Sequence, residues 1–256
     1  MFLNDIGMIA AETSRSSIYL QALARNHLLP GFVLVLANPT NKALPGQLTK
    51  AQVNSEIVQI RESDDCWSEA SFNKDESILT TLSKNNIPYS VSDTNDIHDP
   101  SILNTLKSRP ESVFIYSGYG GVLLKREMFD TGKYFLHIHG GFLPDYKGST
   151  TNYFSLIYEN SIGASAIFLN EQIDSGPILH RRSFPPPENK LEIDHIYDSA
   201  ARAKVLIETL QAYVTKGKWE FAVENNTGGE TYYIIHPVLK HIAILCDSQD
   251  ADLKIL

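Results

Sequence analysis

Two histidines and one aspartate are the residues of this sequence whose types and spacing best suit proton chemistry. His137 and His139 alternate with Ile138 in an apolar stretch that begins at Leu136. Because residues two apart on a strand point to the same side, the two imidazoles should project together. Asp174 lies at the end of a second apolar run. A histidine at a strand end with a carboxylate nearby is an oriented imidazole whose pKa can be tuned for acid–base catalysis.

Each of these residues also has an ordinary structural explanation. Taken alone, His139 could be a hydrogen-bonded histidine at a strand end, and Asp174 before Ser-Gly-Pro is a common turn residue. A His/His/Asp set also superficially suits a metal ion. The sequence offers no further ligand at a usual metal-site spacing, so we predict no metal.

Alternating strands and helices must position these side chains. Apolar runs predict strands at residues 6–10, 32–37, 87–91, 112–117, 133–139, 164–170 and 177–184, with helices after residue 12 and at 75–86, 101–107, 150–159 and 193–215. This alternation indicates an α/β fold: a Rossmann-like, largely parallel sheet with flanking helices. Because ligands of such sheets bind at the carboxyl ends of the strands, Gly118–Gly121 and His139–Gly148 should face one crevice.

Proline and polar residues indicate the boundaries of the chain's parts. Residues 38–65 are polar and without clear periodicity, which predicts a long surface connection. Pro185-Pro186-Pro187 is the clearest break in the chain. We therefore expect a catalytic domain at residues 1–185, followed by a helix and a small C-terminal extension at residues 186–256.

Charge and composition exclude several classes of protein. With 43% hydrophobic and 20% charged residues, the chain of 256 residues has the composition of a soluble globular protein. Its net charge of −8 argues against broad nucleic-acid binding, which depends on neutralising phosphates. Residues 1–5 do not resemble a signal peptide, and the longest apolar run, near residues 28–37, is too short to span a membrane. We expect a cytoplasmic protein in which Cys66 and Cys246 are free thiols, although a single disulfide stays open.

The histidine segment and the segment around Asp174 together resemble one enzyme family. This family comprises glycinamide ribonucleotide formyltransferase, methionyl-tRNA formyltransferase and the sugar N-formyltransferases, whose pattern reads Asn-x-His-Pro-Ser-Leu-Leu-Pro-x-x-x-Gly followed by Asp-x-Gly-x-Ile. The matching residues here are His139, Leu143-Pro144, Gly148, Asp174, Gly176 and Ile178. The chain departs from the pattern at His137, where the family has asparagine, and at Gly140-Gly141, where it has Pro-Ser.

The resemblance implies the formyltransferase fold and a role for each matched residue. His139 would stabilise the oxyanion that forms on the formyl group and help to move protons, and Asp174 would orient His139 and favour its protonated form. His137 is the third catalytic candidate. It could replace the family's asparagine as a hydrogen-bond donor only if the ring nitrogen that faces the substrate carries a hydrogen.

The resemblance also implies N10-formyltetrahydrofolate as the formyl donor, held largely by backbone and apolar groups. The predicted donor-binding residues are Tyr119, Gly120, Gly121, Val122, Leu123, Phe142, Leu143, Pro144, Asp145 and Ile173. For the acceptor we predict Ser14 and Arg15, at a helix start that could hold a phosphate or carboxylate, together with Lys147. A plain helix cap with a solvated arginine is the alternative at Ser14–Arg15.

The predicted function is formyl transfer to the primary amine of a small substrate, with a nucleotide-linked aminosugar as the acceptor. The acidic charge disfavours the tRNA branch of the family, and the continuation from Lys147 to Tyr153 looks more like the sugar branch. A formyl-folate hydrolase and a ligand-binding relative with weakened catalysis are the alternatives. We assign residues 232–239 to the core, a strand pair or the seam of a homodimer rather than to substrate recognition.

Overall fold

The computed structural model describes residues 1–37, 57–58, 65–222 and 225–245. The strands are β1 (Phe2–Ala10), β2 (Leu29–Val35), β3 (Ile57–Val58), β4 (Phe72–Asn73), β5 (Tyr89–Val91), β6 (Val113–Ser117), β7 (Tyr134–His139), β8 (Tyr146–Gly148), β9 (Ile162–Phe168), β10 (Ile178–Phe184) and β11 (Glu230–Tyr232). The α-helices are α1 (Ser14–Arg25), α2 (Ile78–Lys84), α3 (Pro100–Ser108), α4 (Arg126–Phe129), α5 (Thr151–Glu159), α6 (Asp198–Lys216) and α7 (Pro237–Leu245). Short 3₁₀ helices span Asp65–Ala70 and Lys190–Glu192, and a π-helical turn, Ile193–Tyr197, leads into α6.

The central sheet has seven strands in the order β10-β9-β7-β6-β1-β2-β5. The neighbours from β7 to β5 all pair in parallel, whereas β9 runs antiparallel to both β7 and β10. The prediction of an α/β fold with a largely parallel sheet is therefore confirmed. Because β6, β7 and β1 lie side by side, the loops after β6 and β7 meet at one edge of the sheet.

The central strands are apolar because helices cover both faces of the sheet. All residues of β6 and β9 are buried, as expected for strands without a solvent face. The strand predicted at residues 32–37 instead spans Leu29–Val35. It includes Pro30, which lies opposite Leu3 where the pairing with β1 is irregular, so the missing N–H of the proline interrupts no regular ladder.

The sheet separates two apolar layers. Met8, Ile115 and Leu136 belong to the layer that also contains the buried residues of α1 and α6. Ile9, Phe114 and Phe135 belong to the layer beneath α3 and α4. Side chains alternate along a strand, so His137 and His139 lie on the same side of β7 as Phe135.

Capping residues define where α1 and α6, the two helices that border the site, begin or end. Thr13 caps α1 by accepting a hydrogen bond from the backbone N–H of Ser16. Helix α6 ends at Gly217, whose φ of 66° is the left-handed conformation that glycine adopts readily. The helix predicted at residues 193–215 is confirmed as the π-helical turn followed by α6.

Some sequence predictions concern residues outside the described part. The connection predicted at residues 38–65 lies almost entirely there, and so does Cys246, so the free thiols stay a prediction. Within the described residues, no helix combines the length and apolar character needed to cross a membrane.

Candidate active site

A cavity of about 590 Å³ opens at the carboxyl ends of β6 and β7. Parallel strands present their carboxyl ends at one sheet edge, which is where α/β proteins bind ligands. The cavity is lined by Arg15, Tyr116, residues 119–124, His137, His139, Gly140, residues 148–153, residues 169–174, Ile193, Asp194, Asp198, Arg202 and residues 231–234. The two predicted loops, after β6 and β7, do face the same crevice.

His139 lies between two oxygen acceptors. Its Nε2 lies 2.7 Å from the carbonyl oxygen of Tyr146, and its Nδ1 lies 3.3 Å from Oδ2 of Asp174. The ring is 4% exposed. A carbonyl oxygen can only accept, so Nε2 carries a hydrogen and donates it to Tyr146. In the neutral ring, Nδ1 therefore presents a lone pair towards Asp174.

This arrangement makes Nδ1 of His139 a place where a proton can be held. Burial lowers the pKa of His139, and Asp174 partly opposes that effect. The ring is therefore neutral at rest. When Nδ1 gains a proton, the imidazolium lies 3.3 Å from Oδ2 of Asp174 and is stabilised by the charge of that carboxylate, while Nε2–H continues to donate to Tyr146.

His137 has a different environment from its neighbour on the same strand. Its Nδ1 lies 3.4 Å from the carbonyl oxygen of Tyr116, with geometry that allows Nδ1–H to donate. Burial lowers the pKa of His137 well below its ordinary value, and the guanidiniums of Arg15 and Arg202 add to this. His137 is therefore neutral, and with the hydrogen on Nδ1 its Nε2 has none to donate.

Two guanidinium groups, those of Arg15 and Arg202, lie in the lining of the cavity together with the carboxylates of Glu171, Asp174, Asp194 and Asp198. Arg202 pairs with Asp198, its Nε lying 2.8 Å from Oδ2. Arg15 donates to the hydroxyl of Ser117 and to the carbonyl of Gly118. Both of these partners are uncharged, and the ion pairs among the described residues do not include Arg15. Burial and then Arg202 lower the pKa of Arg15, as expected for a buried cation without its own counter-charge.

The turn that carries Asp174 is held by polar contacts from two other segments. Asp174 has a φ of 47°, in the left-handed region that non-glycine residues seldom occupy. The backbone N–H of Gly148 donates to Oδ2 of Asp174 at 2.8 Å. The side-chain amide of Asn226 donates to the backbone carbonyls of Asp174 and Gly176 at 2.7 and 2.8 Å. These contacts place the carboxylate beside His139.

His137, His139 and Asp174 could supply metal ligands, and the charged groups around them are of both signs. One ligand atom from each of His137, His139 and Asp174 lies within 4.8 Å of the other two. The same cavity contains the cation Arg15, the ion pair of Arg202 with Asp198, and the further carboxylates of Glu171 and Asp194. Of the two cations, Arg15 has no carboxylate partner among the described residues, so a negative charge is best placed beside it.

Most of the predicted site residues line the cavity. These are the three catalytic candidates, Arg15, and the predicted donor-binding residues Tyr119, Gly120, Gly121, Val122, Leu123 and Ile173. The apolar side chains of Val122, Leu123 and Ile173 are 42%, 59% and 46% exposed. Apolar groups exposed within a cavity are characteristic of a surface that a ligand covers.

The predicted donor-binding residues Phe142, Leu143, Pro144 and Asp145 do not line the cavity. Leu143 is fully buried, and its N–H donates to the hydroxyl of Ser165 at 2.9 Å. The ring of Phe142 packs under the guanidinium of Arg181. In this structure the Leu-Pro segment supports the site rather than forming its wall.

Two predicted acceptor-binding residues also lie away from the cavity lining. Ser14 is exposed at the start of α1. The amine of Lys147 is buried and donates to the carbonyl oxygens of Gly228 and Asn226 at 2.8 and 3.4 Å. Lys147 therefore ties the loop after β7 to the C-terminal segment. These carbonyl partners lie some eighty residues further along the chain, so the sequence around Lys147 does not indicate them.

Sequence reasoning missed Arg202, Asp198, Asn226 and Tyr232. Arg202 and Asp198 lie on one helix four residues apart, a spacing that indicates an ion pair but not a position in the site. Tyr232 was assigned to the core, a strand pair or a dimer seam. It lies in β11, which pairs with β8, and it also lines the cavity. Its ring stacks on Tyr146 at 5.5 Å. No local signal in the sequence connects these residues with β7.

Comparison with known proteins places this geometry in context. A family model described as formyl transferase matches residues 31–208. Methionyl-tRNA formyltransferase of Thermosynechococcus vestitus is 29% identical over 124 residues, which are 44% of this chain and 35% of that protein. The enzyme of the same name from Chloroflexus aggregans is 26% identical over 134 residues, 51% of this chain and 43% of that protein. The chain thus spans less than half of the length of these curated relatives.

Solved structures with similar folds come from proteins that are described with other acceptors. An N-formyltransferase from Helicobacter canadensis, in complex with folinic acid and dTDP-3-aminofucose, has a TM-score of 0.54 at 16% identity, covering 91% of this chain and 71% of that one. Glycinamide ribonucleotide transformylase 1 from Symbiobacterium toebii has a TM-score of 0.55 at 13% identity, covering 88% and 93%. Likenesses at this identity establish the fold and leave the acceptor open.

Proposed function

This chain belongs to the formyl transferase family, and we propose that it transfers a formyl group from N10-formyltetrahydrofolate to the primary amine of a nucleotide-linked aminosugar. The observation that carries the proposal is the pairing of His139 with Asp174, 3.3 Å apart, at the strand end that lines the cavity. Formyl transfer to an amine releases a proton from the amine nitrogen, and this pair offers a position where that proton is held.

The cavity suits a folate donor by its size and by its apolar wall. A volume of about 590 Å³ lies within the range of ordinary small-molecule sites. The loop at residues 119–124, together with Ile173, would hold the pterin against apolar side chains and glycine backbone. When bound, the donor supplies the formyl carbon, which leaves N10 for the amine nitrogen and yields a formamide and tetrahydrofolate.

Residues of the chain would accept the proton that the amine loses and return it to the departing nitrogen. Nδ1 of His139, unprotonated at rest, accepts the proton that the amine nitrogen loses. Asp174 then stabilises the imidazolium, while Nε2–H continues to donate to Tyr146. From Nδ1 the same proton can be returned to the departing nitrogen, so that one histidine acts first as base and then as acid.

The negative charge that develops on the formyl oxygen would be stabilised by positively charged side chains near the pair of His139 and Asp174. Arg15 contributes a fixed charge, and protonated His139 adds a second, whereas the charge of Arg202 is offset by Asp198. From the sequence, His137 could replace the family's asparagine as a donor only if the ring nitrogen that faces the substrate carries a hydrogen. Its Nδ1–H faces Tyr116, so in the resting state it serves this purpose less well than asparagine would.

The position and hydrogen bonds of Arg15 favour an acceptor that carries a negative charge. It reaches the cavity without a carboxylate partner of its own, and a phosphate of a nucleotide-linked sugar would supply the missing counter-charge. The Helicobacter canadensis protein, whose complex contains dTDP-3-aminofucose, supports the aminosugar as the acceptor class. The methionyl-tRNA and glycinamide ribonucleotide acceptors named for other similar proteins are the competitors.

Three further parts of the proposal rest on the sequence alone. These are a cytoplasmic location, a homodimer, and the division into a catalytic domain at residues 1–185 and an extension at residues 186–256. In the structure, helix α6 of that extension packs into the same apolar layer as the sheet.

A turnover screen tests the proposed function. Purified protein is incubated with N10-formyltetrahydrofolate and a panel of nucleotide-linked aminosugars, and N-formyl product is detected by mass spectrometry. We expect one or more aminosugars to be formylated, and His139→Ala to abolish the reaction. Formate release without any amine would instead indicate a folate hydrolase. Folate binding without turnover of any acceptor would indicate a binding protein, and either result would overturn the proposal.

A further inference from the structure

Asn226 lies outside the region that the family model matches, yet it touches the turn that carries Asp174. The matched region ends at residue 208. The side-chain amide of Asn226 donates one hydrogen bond to the carbonyl of Asp174 at 2.7 Å and another to the carbonyl of Gly176 at 2.8 Å. A single side chain thus bridges both sides of the turn.

The turn needs such support because its backbone is in a sparsely populated conformation. Asp174 has a φ of 47°, and surrounding contacts must hold a non-glycine residue there. Gly176, two residues later, comes so close to the carbonyl of Phe168 that a Cβ would lie 1.7 Å from its oxygen. The tight turn therefore has one strained residue, Asp174, and two carbonyls directed at Asn226.

The side-chain amide of Asn226 directs its nitrogen at these two carbonyls and leaves its own oxygen without a hydrogen-bond partner. Oδ1 is buried and has no hydrogen-bond partner among the described residues. Rotating the amide by half a turn would place Oδ1 against two carbonyl oxygens and lose both hydrogen bonds. A buried acceptor without a partner is unfavourable, which indicates that the two donors matter more than the lost acceptor.

The backbone of Asn226 is itself fixed to the other loop of the site. Lys147 donates to the carbonyls of Asn226 and Gly228. Strand β11 pairs in parallel with β8, whose last residue, Gly148, donates to Oδ2 of Asp174. Asn226 and Gly148 thus hold Asp174 from two directions, one through its backbone and the other through its carboxylate.

We propose that Asn226 is a positioning residue that holds the Asp174 carboxylate against His139. The kinetic consequence rests on the proposed function, whereas the structural consequence does not. Asp174, Arg202, His137 and Asp198 are the ionisable groups that act on His139, and of these Asp174 is the principal one that favours the imidazolium. Loosening the turn at Asp174 should therefore change the protonation of His139.

The test replaces Asn226 by alanine or serine and uses the adjacent, exposed Asn225→Ala as the matched control. The ring signal of His139 is followed by NMR from about pH 5 to 8, the range in which histidines titrate. It is identified by its loss in His139→Gln. We expect the pKa of His139 to fall in both Asn226 variants and to stay unchanged in Asn225→Ala. This readout requires no substrate.

The kinetic measurement separates this inference from the proposed function. If formyl transfer occurs, we expect kcat to fall about ten- to a hundredfold in Asn226→Ala, with a small change in the KM of the donor, because the pair is misplaced rather than the pocket lost. If no acceptor is formylated, the NMR titration still decides the role of Asn226.

A double-mutant cycle distinguishes positioning from a general loss of stability. In an Asp174→Asn background, replacing Asn226 should have no further effect on the pKa of His139, because the group it positions is already neutral. An unchanged His139 titration in folded Asn226→Ala and Asn226→Ser would overturn the inference. An equal shift in the presence and absence of the Asp174 carboxylate would also overturn it.

Discussion

Two regions of the molecule contribute to the site in different ways. One is the end of β7 with the turn at Asp174, and the other consists of the segments that surround them. His137, His139 and Asp174 supply groups that can hold or move a proton. Helix α6 and residues 226–234 supply contacts that fix those groups in place, through Arg202 and Asn226 in particular. The first region is recognisable from a short motif, whereas the second comes from distant parts of the chain.

The difference shows that this motif specifies the reacting groups but leaves their geometry to other segments. Arg202 donates to the carbonyl of Ile138, between the two histidines, at 2.9 Å. Asn226 holds the turn at Asp174. Changes in the first region should therefore abolish chemistry with little effect on folding, and changes in the second should affect stability or alignment.

The largest effect on activity is expected for His139→Ala. This change removes the group proposed to hold the amine proton, and we expect kcat/KM for formyl transfer to fall about a thousandfold. The measurement is steady-state kinetics with formyl-folate and the acceptor found in the screen. His180→Ala serves as the control, because His180 pairs with Glu208 outside this cavity. A comparable loss in both variants would contradict the assignment.

The largest effect on stability is expected for Arg202→Met. Arg202 is 16% exposed at its side chain, and its loss would leave Asp198 without its cation and the carbonyl of Ile138 without this donor. Removing one partner of a buried ion pair costs about 3 kcal/mol. The free energy of unfolding in urea measures this. A value unchanged from the wild type would show that α6 does not support β7 in this way.

A smaller loss of stability is expected for Gly148→Ala. Gly148 has a φ of 96°, and a Cβ there would lie 2.0 Å from the carbonyl oxygen of Tyr232. The strain should reduce the free energy of unfolding by about 2 kcal/mol and weaken the pairing of β8 with β11. Gly120→Ala is the matched control in the cavity wall, since a Cβ at Gly120 meets nothing within 4 Å. Equal effects in the two variants would contradict this explanation.

The smallest effect is expected for Lys147→Met. Because the amine of Lys147 binds backbone carbonyls of the C-terminal segment, we expect kcat to fall about fivefold and the KM of the acceptor to stay constant. Arg15→Met should show the opposite pattern, a raised acceptor KM, because Arg15 lines the cavity. A raised acceptor KM in Lys147→Met would contradict this expectation and support the sequence-based prediction that Lys147 binds substrate.

The fold and the reacting groups were largely predictable because their signals are local. Buried strands such as β6 are continuous apolar runs, and parallel strands direct their following loops to one edge. These two rules place the loop at residues 119–124 opposite His139 without any knowledge of distant contacts. The alternation of His137 and His139 along β7 likewise follows from the period of a strand.

The supporting contacts were not predictable because they join residues far apart in sequence. Asn226 reaches Asp174 across 52 positions, and Arg202 reaches Ile138 across 64. Nothing in the residue types near either end indicates the partner. The same lack of information hid the contacts of Lys147 with the carbonyls of Asn226 and Gly228.

The pH dependence of formyl transfer tests the central claim, that His139 accepts the amine proton with the help of Asp174. The measurement compares kcat/KM in a His137→Asn background, which leaves His139 as the only histidine in the lining, with and without Asp174→Asn. Burial lowers the pKa of His139 and Asp174 raises it, so the rate should fall below the ordinary histidine pKa, as His139 becomes protonated. Replacing Asp174 should move that fall to lower pH and reduce the maximal rate. A fall that stays at the same pH, or a rate without any acid limb, would contradict the account.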